Sequence, residues 1–407
     1  MERLAIDGGR PVRTTPFPSG KKVGAEELKE VTEVIESGNL FRFGGTKVAQ
    51  FEKEFAALLG VKHAVASTSG TAAIHVAVGM LNPSPADEII TCPITDLGTI
   101  IPIIYQTAIP IFADLEPDSY NMDARSLERN IHPNTKAIIV VHLFGNPTNM
   151  DAICDVARKH GLPVVEDCSQ AHLAELGGRL VGTMGEIGCF SLQQSKHMIT
   201  GDGGITVTND DYLAKRGALF MDKGWERSQT GPRVYPMLGM NYRMTELQGA
   251  VAVAQVRKVR GLVEKRRQSG DLLTKLIADV PGVKPQRVLP GGKHSYWLYA
   301  FRVEGMDAAR FAEALKAEGI PCSAGYIGKP IFLCNDALRN QRIFGDSAHP
   351  FDHPRARKGI AYREGLCPVA EGILRRMIQL PLNEAWGEQE VHDAAKAIAK
   401  VATGLRK

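Results

Sequence analysis

Three short stretches of this sequence carry side chains that could do chemistry together. The first is Phe190-Ser191-Leu192-Gln193-Gln194-Ser195-Lys196, followed by Gly201-Asp202-Gly203-Gly204. An apolar run ends there in a polar turn that presents one lysine. Alone, that lysine decides nothing. The glycines that follow let backbone come close to a ligand. The second stretch is Val164-Val165-Glu166-Asp167-Cys168-Ser169-Gln170-Ala171-His172, an apolar run that ends in two carboxylates. A carboxylate in that place can hold a cationic ring nitrogen, and ligands of open α/β sheets bind outside the carboxyl ends of the strands. The third is Ser67-Thr68-Ser69-Gly70-Thr71-Ala72-Ala73, where an apolar run passes into a helical pattern. Backbone N–H groups at a helix start, with hydroxyls beside them, can hold a phosphate.

Each stretch alone has an ordinary reading. A lysine after a strand is usually solvated. Two carboxylates after a strand can be a helix cap. Ser and Thr before a helix are common N-caps. The combination is what points to a site.

The elements that must position these residues are legible in the hydrophobic pattern. Short apolar runs alternate with helical stretches from about residue 60 onward. Strands are expected at His63–Ser67, Glu88–Cys92, Ile109–Asp114, Ala137–His142, Pro163–Asp167, Gly188–Leu192 and Gly204–Thr208. Continuous apolar runs imply strands covered on both faces. Helices are expected between them, for example over Asp123–Ile131 and Met150–His160. The succession predicts an α/β domain with a mostly parallel central sheet. A charged helical stretch follows over Arg243–Ala278, with Lys258, Arg260, Lys265, Arg266 and Arg267. We read it as the solvated face of a long linking helix in preference to an anion-binding face. Beyond it, a strand over Ser295–Val303, a helix over Asp307–Glu318, a strand over Met377–Leu382 and an amphipathic helix over Glu388–Leu405 predict a smaller α+β domain. The expected division is residues 1–255 for the large domain with its N-terminal segment and 256–407 for the small one. A length of 407 residues agrees with two or three domains.

Composition narrows the partners. Charged residues make up 23% of the chain and the formal net charge is only +4. That gives no reason to expect nucleic acid or a membrane surface. No run of about 18 apolar residues is free of charge, so no membrane span is expected. The N-terminal residues lack the apolar core of a signal peptide. Seven cysteines, with no Cys-x-x-Cys pair, fit reduced thiols in a cytoplasmic protein. No His/Cys/Asp/Glu group has metal-ligand spacing, so no metal site is expected.

Taken together, the three stretches resemble the DegT/DnrJ/StrS-type sugar (cyclitol) aminotransferases of pyridoxal-phosphate (PLP) fold type I. The resemblance runs from about Phe41 to the end of the chain and is densest between Val65 and Gln248. It also rests on Val141-His142-Leu143-Phe144-Gly145 and on Asn241-Tyr242-Arg243-Met244-Thr245-Glu246. It implies a PLP-dependent transaminase. Lys196 would form the Schiff base with the cofactor and later move the proton. Asp167 would pair with the pyridine nitrogen, and Gln170 would reach the ring hydroxyl side. Ser191, Gly70 and Thr71 would bind the phosphate. Asn241 would reach the phosphate of the neighbouring subunit, so the resemblance implies a homodimer with shared active sites.

Two places depart from the family pattern. Asp96 stands where an aromatic residue usually stacks on the cofactor ring; Ile94, Leu97 or His172 are the alternatives for covering a ring face. The segment Met221–Arg227 replaces a histidine-glycine stretch. His172 reads equally as a ring-stacking or acid–base group and as a packed histidine, whereas His197 reads as structural. The pair Gln193-Gln194 resembles the branch that aminates inosose-type cyclitols, often with L-glutamine as donor. The expected activity is therefore transfer of an amino group from L-glutamine or L-glutamate to a keto-sugar or keto-cyclitol. Alternatives are a sugar dehydratase of the same fold using PLP or its amine form, against which Lys196 argues, and a transaminase of broader amine and ketone range. A non-catalytic PLP sensor would call for a DNA-binding module, and the sequence offers none. Arg42, between Phe41 and Phe43, is a candidate contact for a substrate carboxylate or else a surface arginine.

Overall fold

The computed structural model describes residues 2–228 and 230–406. Seven strands form the main sheet: β1 (His63–Ser67), β2 (Glu88–Thr91), β3 (Ile109–Phe112), β4 (Thr135–Val141), β5 (Val164–Asp167), β6 (Ile187–Ser191) and β7 (Gly204–Thr208). Their spatial order is β1-β7-β6-β5-β4-β2-β3. The pairs β6–β5, β5–β4, β4–β2 and β2–β3 are parallel. β7 runs antiparallel to both of its neighbours. All seven expected strands are present, with ends that shift by one or two residues. The fold is the expected α/β arrangement with a mostly parallel central sheet.

This order explains where a site can form. The carboxyl ends of the parallel strands lie along one edge. Register places Val141 beside Asp167 and Asp167 beside Cys189. Gly204, where β7 begins, faces both Ser67 and Ser191. The ends that carry Asp167 and Ser191 thus meet the turn that runs from Ser191 through Lys196 to Gly204.

Helices cover both faces, and α1 (Ala25–Ser37) and α2 (Lys47–Leu59) precede the first strand. Helix α3 (Gly70–Leu81) is apolar all round and buried along its length. Such a helix belongs inside a layer and not on its surface. Helix α4 (Leu97–Tyr105) packs against it, α5 (Ala124–Asn130) and α6 (Met150–His160) fill the next two crossovers, and α7 (Asp211–Met221) follows β7 and packs on α3.

Helix α8 (Glu246–Ile277) is opened by a capping box. Thr245 accepts from the Gln248 N–H, and the Gln248 side chain accepts from the Thr245 N–H. The helix runs unbroken through residues 255 and 256. Val253, Val256, Val259 and Val263 pack in a core with α2 and the sheet. Leu273 and Ile277 pack in the core of the C-terminal unit. Its basic residues are paired more fully than a solvated face requires. Arg257 reaches Glu30 and Glu54, Lys258 reaches Glu27, and Arg266 reaches Glu384.

The C-terminal unit is an antiparallel four-stranded sheet, in the order 283–285, 299–303, 377–380, 323–324, flanked by the helices Ala308–Ala317 and Glu388–Leu405. Leu4, with Ile6, Val12 and Phe17, packs into its core. The N-terminal segment therefore rests on the C-terminal unit, a placement that no local pattern announces. Residues 331–374 return the favour of contact to the main sheet: Phe332 and Tyr362 pack on Phe112 of β3.

Candidate active site

A cavity of about 360 Å³ opens at the carboxyl edge of the main sheet. It is lined by the start of α3, the start of α4, the ends of β4, β5 and β6, the Gln193–Lys196 turn, and two aromatic residues of the C-terminal unit, Trp297 and Tyr326. The three stretches picked out from the sequence meet here. Gly70, Thr71, Asp167, Gln170, Ser191 and Lys196 all line it.

The phosphate-binding expectation fits the local geometry. Ser69 caps α3, its hydroxyl accepting from the Ala72 N–H at 3.0 Å. That leaves the Gly70 and Thr71 N–H groups at the helix start, where the helix dipole favours an anion. Gly70 is required by close approach: a Cβ there would lie 2.6 Å from the Ser191 Cβ. The cradle formed by Gly70, Thr71 and Ser191 would be filled by any larger residue at position 70.

Asp167 is buried and held in place. Thr99 Oγ1 donates to its Oδ2 at 2.8 Å, and the Ser169 N–H donates to Oδ1 at 3.0 Å. Thr95 and Thr99 hydroxyls are 2.7 Å apart, so a short hydroxyl chain from α4 ends on the carboxylate. Each carboxylate oxygen keeps a free lone pair for a ligand. The neighbouring Glu166 is different. It is fully buried and accepts from His142 Nε2 and from the N–H groups of Gly182, Met184 and Gly185. Burial acts to raise its pKa, but these bonds outweigh it and hold the carboxyl below its ordinary value. Two adjacent carboxylates thus point to opposite sides of β5, one locked into the fold and one facing the cavity.

His142, Glu166 and Cys168 lie close enough together to suggest a metal cluster. Within the group, His142 and Glu166 are joined by a hydrogen bond. His142 Nδ1 accepts from the Thr148 N–H, so Nε2 carries the proton given to Glu166.

Gln170 bridges the large domain to the C-terminal unit. Its Oε1 accepts from the Phe144 N–H at 2.8 Å and its Nε2 donates to Tyr326 Oη at 3.2 Å. Burial pushes the Tyr326 hydroxyl up to about 12. Lys196 is the cavity's only lysine among the described residues. Burial lowers its pKa to about 8, while Asp167 and Asp96 oppose that shift and Lys22 adds to it. An amine so placed is partly neutral near physiological pH, which is what Schiff-base chemistry needs. Lys22, from the N-terminal segment, donates to the Lys196 backbone carbonyl.

Other expected residues lie elsewhere. Asn241 is exposed and outside the cavity of its own chain, its backbone bridged to Asp222. His172 does not line the cavity. It is buried between Phe190 and His197, both ring nitrogens lack a protein partner, and burial pushes its pKa down to about 3. The packed reading of His172 therefore stands, and stacking on a ligand does not. Ile94 and Leu97 are also absent from the wall. Arg42 is committed to Glu52 at 2.7 Å and to the Ala66 carbonyl, so it is no substrate contact within this chain. Asp96 does line the cavity, and its Oδ1 caps α4 by accepting from the Gly98 N–H at 2.8 Å. Sequence reading missed Thr95, Thr99, Trp297 and Tyr326. The threonines sat in a stretch already singled out for Asp96, and their spacing of one helical turn was the available signal. No local motif marks Trp297 or Tyr326.

Comparisons with known proteins identify the family. Residues 21–399 match the model of the DegT/DnrJ/EryC1/StrS aminotransferase family. The chain is 33% identical to the spore coat polysaccharide biosynthesis protein SpsC of Bacillus subtilis, covering 94% of this chain and 96% of that protein. It is also 33% identical to an L-glutamine:2-deoxy-scyllo-inosose aminotransferase of Streptoalloteichus tenebrarius, covering 98% and 97% respectively. Among solved structures, an aminotransferase from Psychrobacter cryohalolentis superposes with a TM-score of 0.84 at 28% identity, covering 97% of this chain and all of that one. This chain is an aminotransferase and belongs to the DegT/DnrJ/EryC1/StrS aminotransferase family.

Proposed function

We propose that this enzyme uses PLP, bound through Lys196, to move an amino group from an amino acid, L-glutamine ahead of L-glutamate, to a keto-cyclitol or keto-sugar. The observation that carries the reading is the meeting of a lysine, a held carboxylate and a helix start in one cavity. PLP supplies an electron sink for the carbon that gains or loses the amino group. The chain's residues supply the rest. Gly70, Thr71 and Ser191 would hold the phosphate, Asp167 would keep the ring nitrogen protonated, and Gln170 would meet the ring hydroxyl side. Lys196 would carry the cofactor and then move a proton at the substrate carbon.

The donor preference follows from charge. Asp96, Asp167 and Asp202 all line the cavity. A side-chain carboxylate on the donor would add like charge to Asp96 and Asp202, the two not committed to the ring nitrogen, and an amide would not. Asp96, Gln193, Ser195 and Tyr326 offer acceptors and donors for a polyhydroxylated ketone. Several relatives bear names that specify L-glutamine and an inosose. The dehydratase alternative has less support, because its chemistry does not call for a lysine at position 196.

Asn241 would complete the site of a second subunit. It is exposed, and exposed apolar side chains including Leu238 and Met240 lie beside it. A homodimer with shared sites accounts for both features. We also place the protein in the cytoplasm. Its cysteines are all free thiols, and no helix among the described residues is long and apolar enough to cross a membrane. The activity is tested by following the visible band of the PLP-loaded protein with a panel of amino acids, then restoring it with inosose-like ketones, keto-sugars and simple hydrophobic ketones. A preference for hydrophobic amines and ketones would overturn the substrate assignment and leave the transaminase intact.

A further inference from the structure

Position 96 carries an aspartate that caps a helix, and the aromatic side chains of the cavity wall come from the C-terminal unit. Among the described residues two aromatics line the cavity, Trp297 and Tyr326, and of these Trp297 faces the reacting nitrogen. The Nζ atom of Lys196 lies 3.7 Å from the centroid of the Trp297 ring.

That indole is held by several contacts around the face it turns to the cavity. Its Nε1–H donates to the Ser195 carbonyl at 3.0 Å, tying it to the turn that carries Lys196. Phe144 lies nearly parallel to it, with 25° between the planes and 6.4 Å between centroids. Tyr326 meets it edge-on at 81°. The backbone is pinned as well. The Trp297 N–H donates to the Phe144 carbonyl at 2.8 Å. Its carbonyl accepts from Arg266, a buried guanidinium held by Glu384. A ring fixed in this way cannot turn aside when the lysine acquires a partner. Its face carries the negative side of the aromatic quadrupole, which favours a cation lying against it.

We infer that Trp297 is a positioning residue for the Lys196 nitrogen, walling one side of it and stabilising its cationic form. The inference rests on the PLP reading. When PLP is joined to Lys196, the nitrogen holds a proton in one state and lacks it in the other, and the two states absorb differently. Trp297 lowers the free energy of the protonated state alone.

The test titrates the visible band of the PLP-loaded protein against pH. Trp297→Leu removes the ring face, and the midpoint is expected to move to lower pH by about one unit. Trp297→Phe keeps a weaker face and is expected to fall between the two. Should Trp297→Leu fold poorly, the Phe variant carries the test together with a second readout. PLP loading is expected to quench tryptophan emission, and Trp297→Phe to lose most of that quench, while Trp225→Phe and Trp386→Phe keep it. An unchanged midpoint in Trp297→Leu, or an unchanged midpoint and quench in Trp297→Phe, overturns the inference and leaves the PLP reading in place. A wild-type protein that shows no visible band on PLP addition overturns both.

Discussion

Thr99 Oγ1 donates a 2.8 Å hydrogen bond to Asp167 Oδ2, linking the first turn of α4 to the end of β5. The bond is buried and ends on a carboxylate, a class of hydrogen bond that contributes about 1.5–3 kcal/mol. It also fixes which way the carboxylate faces. Thr99→Val should therefore lower the transamination rate by about 10- to 100-fold with little change in fold. Thr99→Ser should restore most of it, because the hydroxyl is what matters. Equal rates for the Val and Ser variants would show that the hydroxyl does not orient Asp167.

Glu166 and Asp167 are neighbours that should behave oppositely on substitution. Asp167→Asn should cost roughly a thousandfold in rate, about 4 kcal/mol of barrier, with normal thermal stability. Glu166→Ala leaves His142 and three backbone N–H groups without an acceptor. It should cost about 3–5 kcal/mol of stability in denaturant titrations. The sign of the pH dependence follows from the lowered Glu166 pKa. Its contribution is present above the ordinary value of 4.5 and is lost as pH falls through the lower folded value.

Lys196 should react as an amine with a pKa near 8, not near 10.5. In the protein stripped of PLP, the rate of trinitrophenylation of Lys196 should rise with pH, reach half its maximum near pH 8, and level off above that. In Asp167→Asn the half-maximum should move to lower pH, since Asp167 raises the lysine's pKa. A rate still climbing past pH 10 would mean that burial does not act on this amine.

Asn241 offers a test of subunit sharing. Asn241→Ala alone and Lys196→Ala alone should each be inactive or weak. Mixed dimers of the two should regain activity, because one of the two sites has both residues intact. Heterodimers that form and stay inactive would count against shared sites.

The sequence made the sheet readable because each strand is a short apolar run closed by Gly, Pro, Asp or Asn. Asp167 and Ser191 close such runs and Lys196 sits in the polar turn that follows one, but the family resemblance, not the run itself, gave each its expected role. What the sequence hid came from distant segments. Trp297 reaches Lys196 from a segment that lies beyond α8, between the strands of the C-terminal unit. Leu4 joins the C-terminal core, and Lys22 donates to the Lys196 carbonyl. No periodicity reports such contacts. His172 looked chemical because of its place two residues after Gln170, yet its side chain turns inward beside Phe190. A residue's position along a strand end predicts which edge it occupies, but not which face of the following loop it packs against.

The central claim is that Lys196 is the residue to which PLP is joined. The direct measurement is borohydride reduction of the PLP-loaded protein, followed by digestion and mass mapping of the pyridoxyl group. The account predicts the label on Lys196, in the peptide containing Ser191 and His197, and none in Lys196→Ala. Lys22 is the sharpest rival, since it contacts the Lys196 carbonyl and burial lowers its own pKa to about 8. A label on Lys22, or on any other lysine, in the wild-type protein would contradict the assignment.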